Sequence, residues 1–69
     1  MSVSIVMNGE PVAIQAETVI DLLNAEGIDP GAKGVAVAIN GNVVRRGDWP
    51  NTAVSDGDEV EIVKPFSGG

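Results

Sequence analysis

The residues of this sequence that could do chemistry lie at its end. The chain contains no cysteine and no histidine, which excludes thiolate and imidazole metal sites and every Ser/His or Cys/His nucleophile. Its last two residues are Gly68 and Gly69. Two terminal glycines bury no side chain and lose much conformational entropy on ordering, so they do not strengthen a fold. They do form a narrow thread, and this thread ends in the α-carboxylate of Gly69.

A carboxylate becomes an electrophile when a nucleotide converts it to an acyl-adenylate. The sequence has no Walker-type glycine loop, so we expect the chain to be the substrate of an adenylating enzyme and not an enzyme itself. Sulfur could then replace AMP on the acyl carbon of Gly69. Such a carrier needs no cofactor of its own, because its partner enzyme uses the ATP.

The charge balance argues against nucleic acid as a partner. Ten acidic residues oppose four basic ones, giving a formal net charge of −6, whereas binding to a phosphate backbone needs lysine and arginine. A partner with a basic face fits better, although the charge could also serve solubility alone. No signal peptide and no membrane-spanning run is visible. We therefore expect a soluble, cytoplasmic protein that binds neither membrane nor nucleic acid.

The first half of the chain predicts a hairpin and a helix. Apolar residues alternate on both sides of Asn8-Gly9, a pair typical of type I′ turns, so residues 2–15 are predicted to form a β-hairpin. Pro11 places the second strand at a sheet edge. Thr18 and Asp21 have the spacing of a capping box, and the helix that follows should end at Gly27.

The second half predicts three strands and a core aromatic residue. The apolar run of residues 35–39, then Asn40-Gly41 and Val43-Val44, indicates another hairpin. Trp49 is the only tryptophan and is expected to fill the core. After a turn at residues 56–58, a last strand alternates between two faces. Its inward residues should be Val60 and Ile62, and its outward ones Glu59, Glu61 and Val63.

This order of elements predicts an α+β fold in which a mixed sheet of four to five strands packs on one helix. It is the order of the β-grasp arrangement, with the last strand parallel to the first. Residues 1–65 should form the domain, and residues 66–69 a flexible functional tail.

The same features resemble the ThiS family of sulfur carriers in thiazole synthesis. The resemblance covers nearly the whole chain, and it lies in the segment Val35–Asn40, Val43-Val44, Arg46, Trp49, Asp56–Ile62 and the terminal Gly68-Gly69. It implies a ubiquitin-like β-grasp fold, adenylation by a ThiF-type enzyme, sulfur from a cysteine-derived persulfide, and donation to the thiazole synthase ThiG. Family members often have proline before the arginine, where this chain has Arg45.

The tail is expected to bind the partner enzymes. Phe66 is the only phenylalanine and follows Pro65, where the sheet should already have ended. Its side chain is therefore poorly placed to join the hydrophobic core. We expect Phe66 and Val63 to form an apolar anchor, as aromatic residues do at interface hot spots. Ser67 and Gly68 should also contact the partner, and the narrow Gly68-Gly69 thread can enter a tight slot.

For several other residues a structural role has to be weighed against a functional one. The acidic residues at positions 56–61 lack the spacing of a calcium loop, so we expect no metal site there. Arg45-Arg46 should be a charged hairpin arm, with pairing to an acidic enzyme patch as the alternative. Ala36 and Ala38 share a strand face that either admits a partner closely or packs beneath the helix.

Three alternatives remain open from the sequence. The small subunit of molybdopterin synthase has the same fold, Gly-Gly ending and activation chemistry. A ubiquitin-like modifier shares the activation step but joins its carboxylate to a lysine. A plain binding module with an accidental Gly-Gly is the third, since such an ending arises by chance in roughly a few per cent of glycine-rich chains.

Overall fold

The chain forms one mixed sheet with a helix on one face. The computed structural model describes residues 2–64, and these contain five strands, one α-helix and one 3₁₀ segment. In chain order they are β1 (Val3–Met7), β2 (Glu10–Ile14), α1 (Val19–Ala25), β3 (Ala36–Ile39), β4 (Asn42–Val44), the 3₁₀ segment (Arg46–Asn51) and β5 (Glu59–Val63). The strand order is β2-β1-β5-β3-β4. β5 lies parallel to β1, as predicted, and the other neighbouring pairs are antiparallel.

Both hairpins form at the predicted Asn-Gly pairs. Asn8 and Asn40 have φ values of 51° and 52°, and Gly9 and Gly41 follow at 85° and 83°. Positive φ at both central residues defines the type I′ turn, which matches the twist of the flanking strands. β2, the strand that contains Pro11, lies at the sheet edge as expected.

Local signals set both ends of α1. The Thr18 hydroxyl accepts a hydrogen bond from the Asp21 N–H, and the Asp21 carboxylate accepts one from the Thr18 N–H, completing the predicted capping box. At the other end Gly27 has φ 73°. The Gly27 and Ile28 amides donate to the carbonyls of Asn24 and Leu23, which is the Schellman pattern.

The core lies between α1 and the inner face of the sheet. Strand alternation turns one set of side chains toward the helix, and these are buried: Ile5, Met7, Val37, Val60 and Ile62. The helix contributes Val19, Leu22 and Leu23, none of which is measurably exposed. Trp49 closes the core from the 3₁₀ segment and is 1% exposed, as the sequence predicted.

Trp49 is held by two polar contacts. Its indole N–H donates to the Val44 carbonyl at 2.9 Å, and the guanidinium carbon of Arg46 lies 4.8 Å from the ring centroid. Arg46 also donates to the carbonyls of Ala32, at 2.6 Å, and Pro30. One side chain thus joins the loop before β3 to the core tryptophan.

The expectation that Arg45-Arg46 forms a hairpin arm is wrong for Arg46. β4 ends at Val44, and Arg46 begins the 3₁₀ segment with its head group turned onto carbonyls and Trp49. Arg45 is the residue before this segment and has φ −66° and ψ 145°. This φ is the value that a proline ring imposes. The departure from the family pattern at Arg45 therefore leaves the backbone in a proline-like conformation.

The helix content of the described residues is small. Within residues 2–64, α1 and the 3₁₀ segment are both far shorter than a bilayer-crossing helix, and no helix there has the length and apolar character to cross a membrane.

Candidate functional site

The last strand that the structure describes lies in the middle of the sheet. β5 lies between β1 and β3 and ends at Val63, one residue before the last described position, Lys64. Phe66, Ser67, Gly68 and Gly69, predicted as the reacting and partner-binding residues, lie outside the described residues. The described part of the chain therefore fixes where the tail begins.

The pairing of β5 with β3 runs up to this starting point. Val63 stands opposite Ala36, and Ile62 opposite Val37. On the other side, the Asn8 N–H donates to the Val60 carbonyl at 2.9 Å. β5 is thus paired with β3 up to its last residue, Val63, whereas its backbone pairing on the β1 side ends at Val60.

The face of the sheet that turns away from α1, here called the outer face, carries a shallow apolar depression. Two small residues, Ala36 and Ala38, form its floor, and larger side chains stand around them. The depression has a volume of about 210 Å³ and is lined by Ala36, Val37, Ala38, Val43, Glu61 and Val63. Val43 is 78% exposed and Val63 is 61% exposed, the two exposed large apolar side chains of the described residues.

The register explains why this depression forms. On β3, Ala38 faces Val43 of β4 on one side and Glu61 of β5 on the other. A small side chain between two larger ones leaves a gap on the sheet surface. Of the two predicted readings for Ala36 and Ala38, packing beneath the helix is wrong, because Val37 points to the core and the alanines point outward.

The outer face is acidic beside the depression. Glu61 lines it, and Glu59 lies two residues earlier on the same side of β5, both exposed as predicted. A surface that combines exposed valines with carboxylates suits a partner surface with apolar and basic side chains, since complementary charge gives specificity and speeds association.

The acidic turn before β5 has a structural role. The Asp56 carboxylate accepts from the Ser4 N–H at 2.7 Å. The Asp58 carboxylate accepts from the Ser55 N–H at 2.8 Å and from the Asn40 side-chain amide at 3.1 Å. Residues 2–64 contain no group of three acidic, histidine or cysteine side chains placed to hold a metal ion. The carboxylates of Asp56 and Asp58 join the turn to β1 and to the second hairpin.

One polar residue near the tail was not singled out by sequence reasoning. Asn8 was assigned only to its turn, yet its side chain reaches β5 and bonds to the backbone of Ile62. The two residues are 54 positions apart, and no local pattern signals a contact at that separation.

The fold and the comparisons agree on the class of protein. A mixed sheet of order β2-β1-β5-β3-β4 with one helix on one face is the ubiquitin-like β-grasp fold. The crystal structure of a thiamine biosynthesis protein (ThiS) from Geobacter metallireducens superimposes with a TM-score of 0.77. It is 36% identical and covers 96% of this chain and 99% of that one.

Sequence comparison gives the family. A model of the ThiS family matches residues 3–69. The curated sulfur carrier protein ThiS of Thermus thermophilus is 35% identical over 63 residues, which are 91% of this chain and 95% of that protein. The solution structure of a thiamine biosynthesis protein from Geobacter metallireducens is 33% identical in sequence and has a TM-score of 0.77. The match covers 96% of this chain and 87% of that one. The chain belongs to the ThiS family.

Proposed function

We propose that this chain is a sulfur carrier protein of thiamine biosynthesis and that its reacting group is the α-carboxylate of Gly69. The observation that supports this most strongly is the ThiS family match, which runs from residue 3 through the terminal glycines to residue 69. The relatives are a sulfur carrier protein ThiS and thiamine biosynthesis proteins, which favours the thiamine route over the molybdopterin and protein-modifier alternatives.

The proposed chemistry has three steps. An oxygen of the Gly69 carboxylate attacks the α-phosphorus of ATP on a ThiF-type enzyme, and pyrophosphate leaves. The terminal sulfur of a protein persulfide then attacks the acyl carbon and displaces AMP. A thiol then attacks the protein-side sulfur of the resulting acyl disulfide, so that a disulfide forms between this thiol and the persulfide protein and the thiocarboxylate is released for thiazole synthase. The carrier supplies the carboxylate and no catalytic side chain, so it is a protein co-substrate that binds no cofactor of its own.

The domain provides the surface that the successive enzymes recognise. The outer-face depression lies beside Val63, the last residue of β5, so a partner bound there would also be next to the start of the tail. We place Val63 and Phe66 as the apolar anchor, with Ser67 and Gly68 entering the enzyme's slot. Glu59 and Glu61 would face basic side chains of the partner.

The adenylation step can be tested by pyrophosphate exchange. A matched ThiF-type enzyme, ATP and labelled pyrophosphate are combined with the full chain or with a chain that lacks Gly68 and Gly69. We expect exchange with the full chain only, because the shortened chain presents its carboxylate two residues too early. Thermal unfolding is the control and should be unchanged, since the deleted residues bury no side chain. Equal exchange with both chains would contradict the proposal.

A further inference from the structure

The Asn8 side chain replaces the missing strand partner at the end of β5. β1 pairs with β5 as far as Met7 opposite Val60, and the chain then turns away into β2. β5 continues beyond that point. The Ile62 N–H donates to Asn8 Oδ1 at 2.9 Å, and Asn8 Nδ2 donates to the Ile62 carbonyl at 3.3 Å. Both backbone groups of Ile62 are therefore bonded by one primary amide.

The turn itself does not require this side chain. Asn8 has φ 51°, a conformation that asparagine tolerates and that glycine adopts without steric cost. A glycine at position 8 would make the same type I′ turn but would leave Ile62 unbonded on its β1 side. The hairpin therefore does not need the Asn8 side chain. What this side chain adds is a restraint on β5 at Ile62, two residues before Lys64.

We infer that Asn8 is a positioning residue for the reactive tail, an inference that rests on the proposed function. Seven residues follow Ile62, the last of them Gly69, and they reach at most about 23 to 25 Å when extended. When an enzyme binds the outer face, the residues that follow Ile62 must extend from the end of β5 to the ATP bound on that enzyme. The position of the end of β5 therefore decides where the Gly69 carboxylate can reach. Small misplacements of a reacting group can lower a rate by up to about a hundredfold. The Asn8 amide limits such movement on the β1 side, while β3 holds Val63.

The same molecule provides a matched control at the other end of β5. Asn40 also opens a type I′ turn, with φ 52°. Its side chain accepts from the Glu59 N–H at 2.9 Å and donates to the Asp58 carboxylate at 3.1 Å. Asn40→Gly therefore removes two side-chain hydrogen bonds to the β5 region, as Asn8→Gly does. Only Asn8 bonds to the end from which the tail leaves.

The test compares Asn8→Gly with Asn40→Gly in ATP-dependent sulfur loading by a matched ThiF-type enzyme and sulfur donor. We expect both variants to lower the unfolding midpoint by a similar amount. We expect Asn8→Gly to lower kcat about tenfold with KM within about twofold of wild type, because docking is kept and orientation is lost. Asn40→Gly should leave both constants within about twofold. Amide exchange at Ile62 should be faster in Asn8→Gly than in Asn40→Gly, because both variants lose global stability but only the first loses the contact to Ile62.

Equal kcat values for the two variants would overturn the positioning role, since both would then act through stability alone. Unchanged exchange at Ile62 in Asn8→Gly would overturn it as well, because the amide contact would not be restraining the strand. A wild-type chain that takes up no sulfur would refute the proposed function itself, and the positioning role with it.

Discussion

Replacing Trp49 with alanine is expected to leave most of the protein unfolded at room temperature. Trp49 is 1% exposed, and it is the largest of the fully buried side chains. Truncating a buried tryptophan to alanine costs about 3 to 5 kcal/mol. A single core of this size supplies a net stability of only about 3 to 5 kcal/mol. The substitution also removes the contacts to the Val44 carbonyl and the Arg46 guanidinium.

Far-ultraviolet circular dichroism is the suitable measurement, because the variant has lost the only tryptophan fluorophore. Val43→Ala is the control. Val43 is 78% exposed, and substitutions at exposed positions usually change stability by no more than about 0.5 kcal/mol. An unfolding midpoint for Trp49→Ala equal to that of wild type would mean that the 3₁₀ segment does not close the core.

Filling the outer-face depression with Ala38→Leu is expected to impair recognition by the adenylating enzyme while the domain stays folded. The new side chain would occupy the gap between Val43 and Glu61, where we place an apolar group of the partner. Loss of a hot-spot contact at the centre of an interface costs about 2 kcal/mol or more, which corresponds to a decrease in affinity of more than about tenfold. Titration of the enzyme with each carrier variant measures this directly.

Ala13→Leu is the matched control for that experiment. Ala13 is exposed on β2 and pairs with Ser4, so it lies on the outer face but away from the depression. The same substitution there should leave affinity within about twofold of wild type. If both variants bind the enzyme as wild type does, the depression is not the docking surface. If both bind equally poorly, the effect is general to the outer face.

The sequence predicted most of the fold because the deciding signals are local. Asn8-Gly9 and Asn40-Gly41 specify the two hairpins through their own backbone preferences, and the capping box and Gly27 set the ends of α1. The alternation of β5 correctly separated Val60 and Ile62, which are buried, from the outward residues. Each of these inferences needs only neighbours a few positions apart.

The features that sequence reasoning missed depend on contacts between distant residues. Arg46 bonds to carbonyls 14 and 16 positions away, so its role next to Trp49 was not visible in the sequence. Asn8 bonds to Ile62 across 54 positions. The run of residues 35–39 is apolar throughout, so periodicity did not say which of its side chains face the helix. The outer-face depression therefore became apparent only from the strand register.

Of the predicted site residues, only Val63 lies within the described part of the chain. Val63 lies on the rim of the depression as an exposed apolar residue, which is compatible with the proposed anchor. The reaction at Gly69 and the roles of Gly68, Ser67 and Phe66 remain predictions from the sequence and the family. They are best tested by chemistry on the whole chain.

Intact mass spectrometry can detect the proposed thiocarboxylate at Gly69 directly. The full chain and a chain lacking Gly68 and Gly69 are each incubated with ATP, a matched ThiF-type enzyme and a persulfide sulfur donor. We expect a gain of about 16 Da, one oxygen exchanged for sulfur, in the full chain alone, because only its terminal carboxylate is adenylated. No gain in the full chain, or thiol-resistant conjugates to other proteins in its place, would contradict the carrier function.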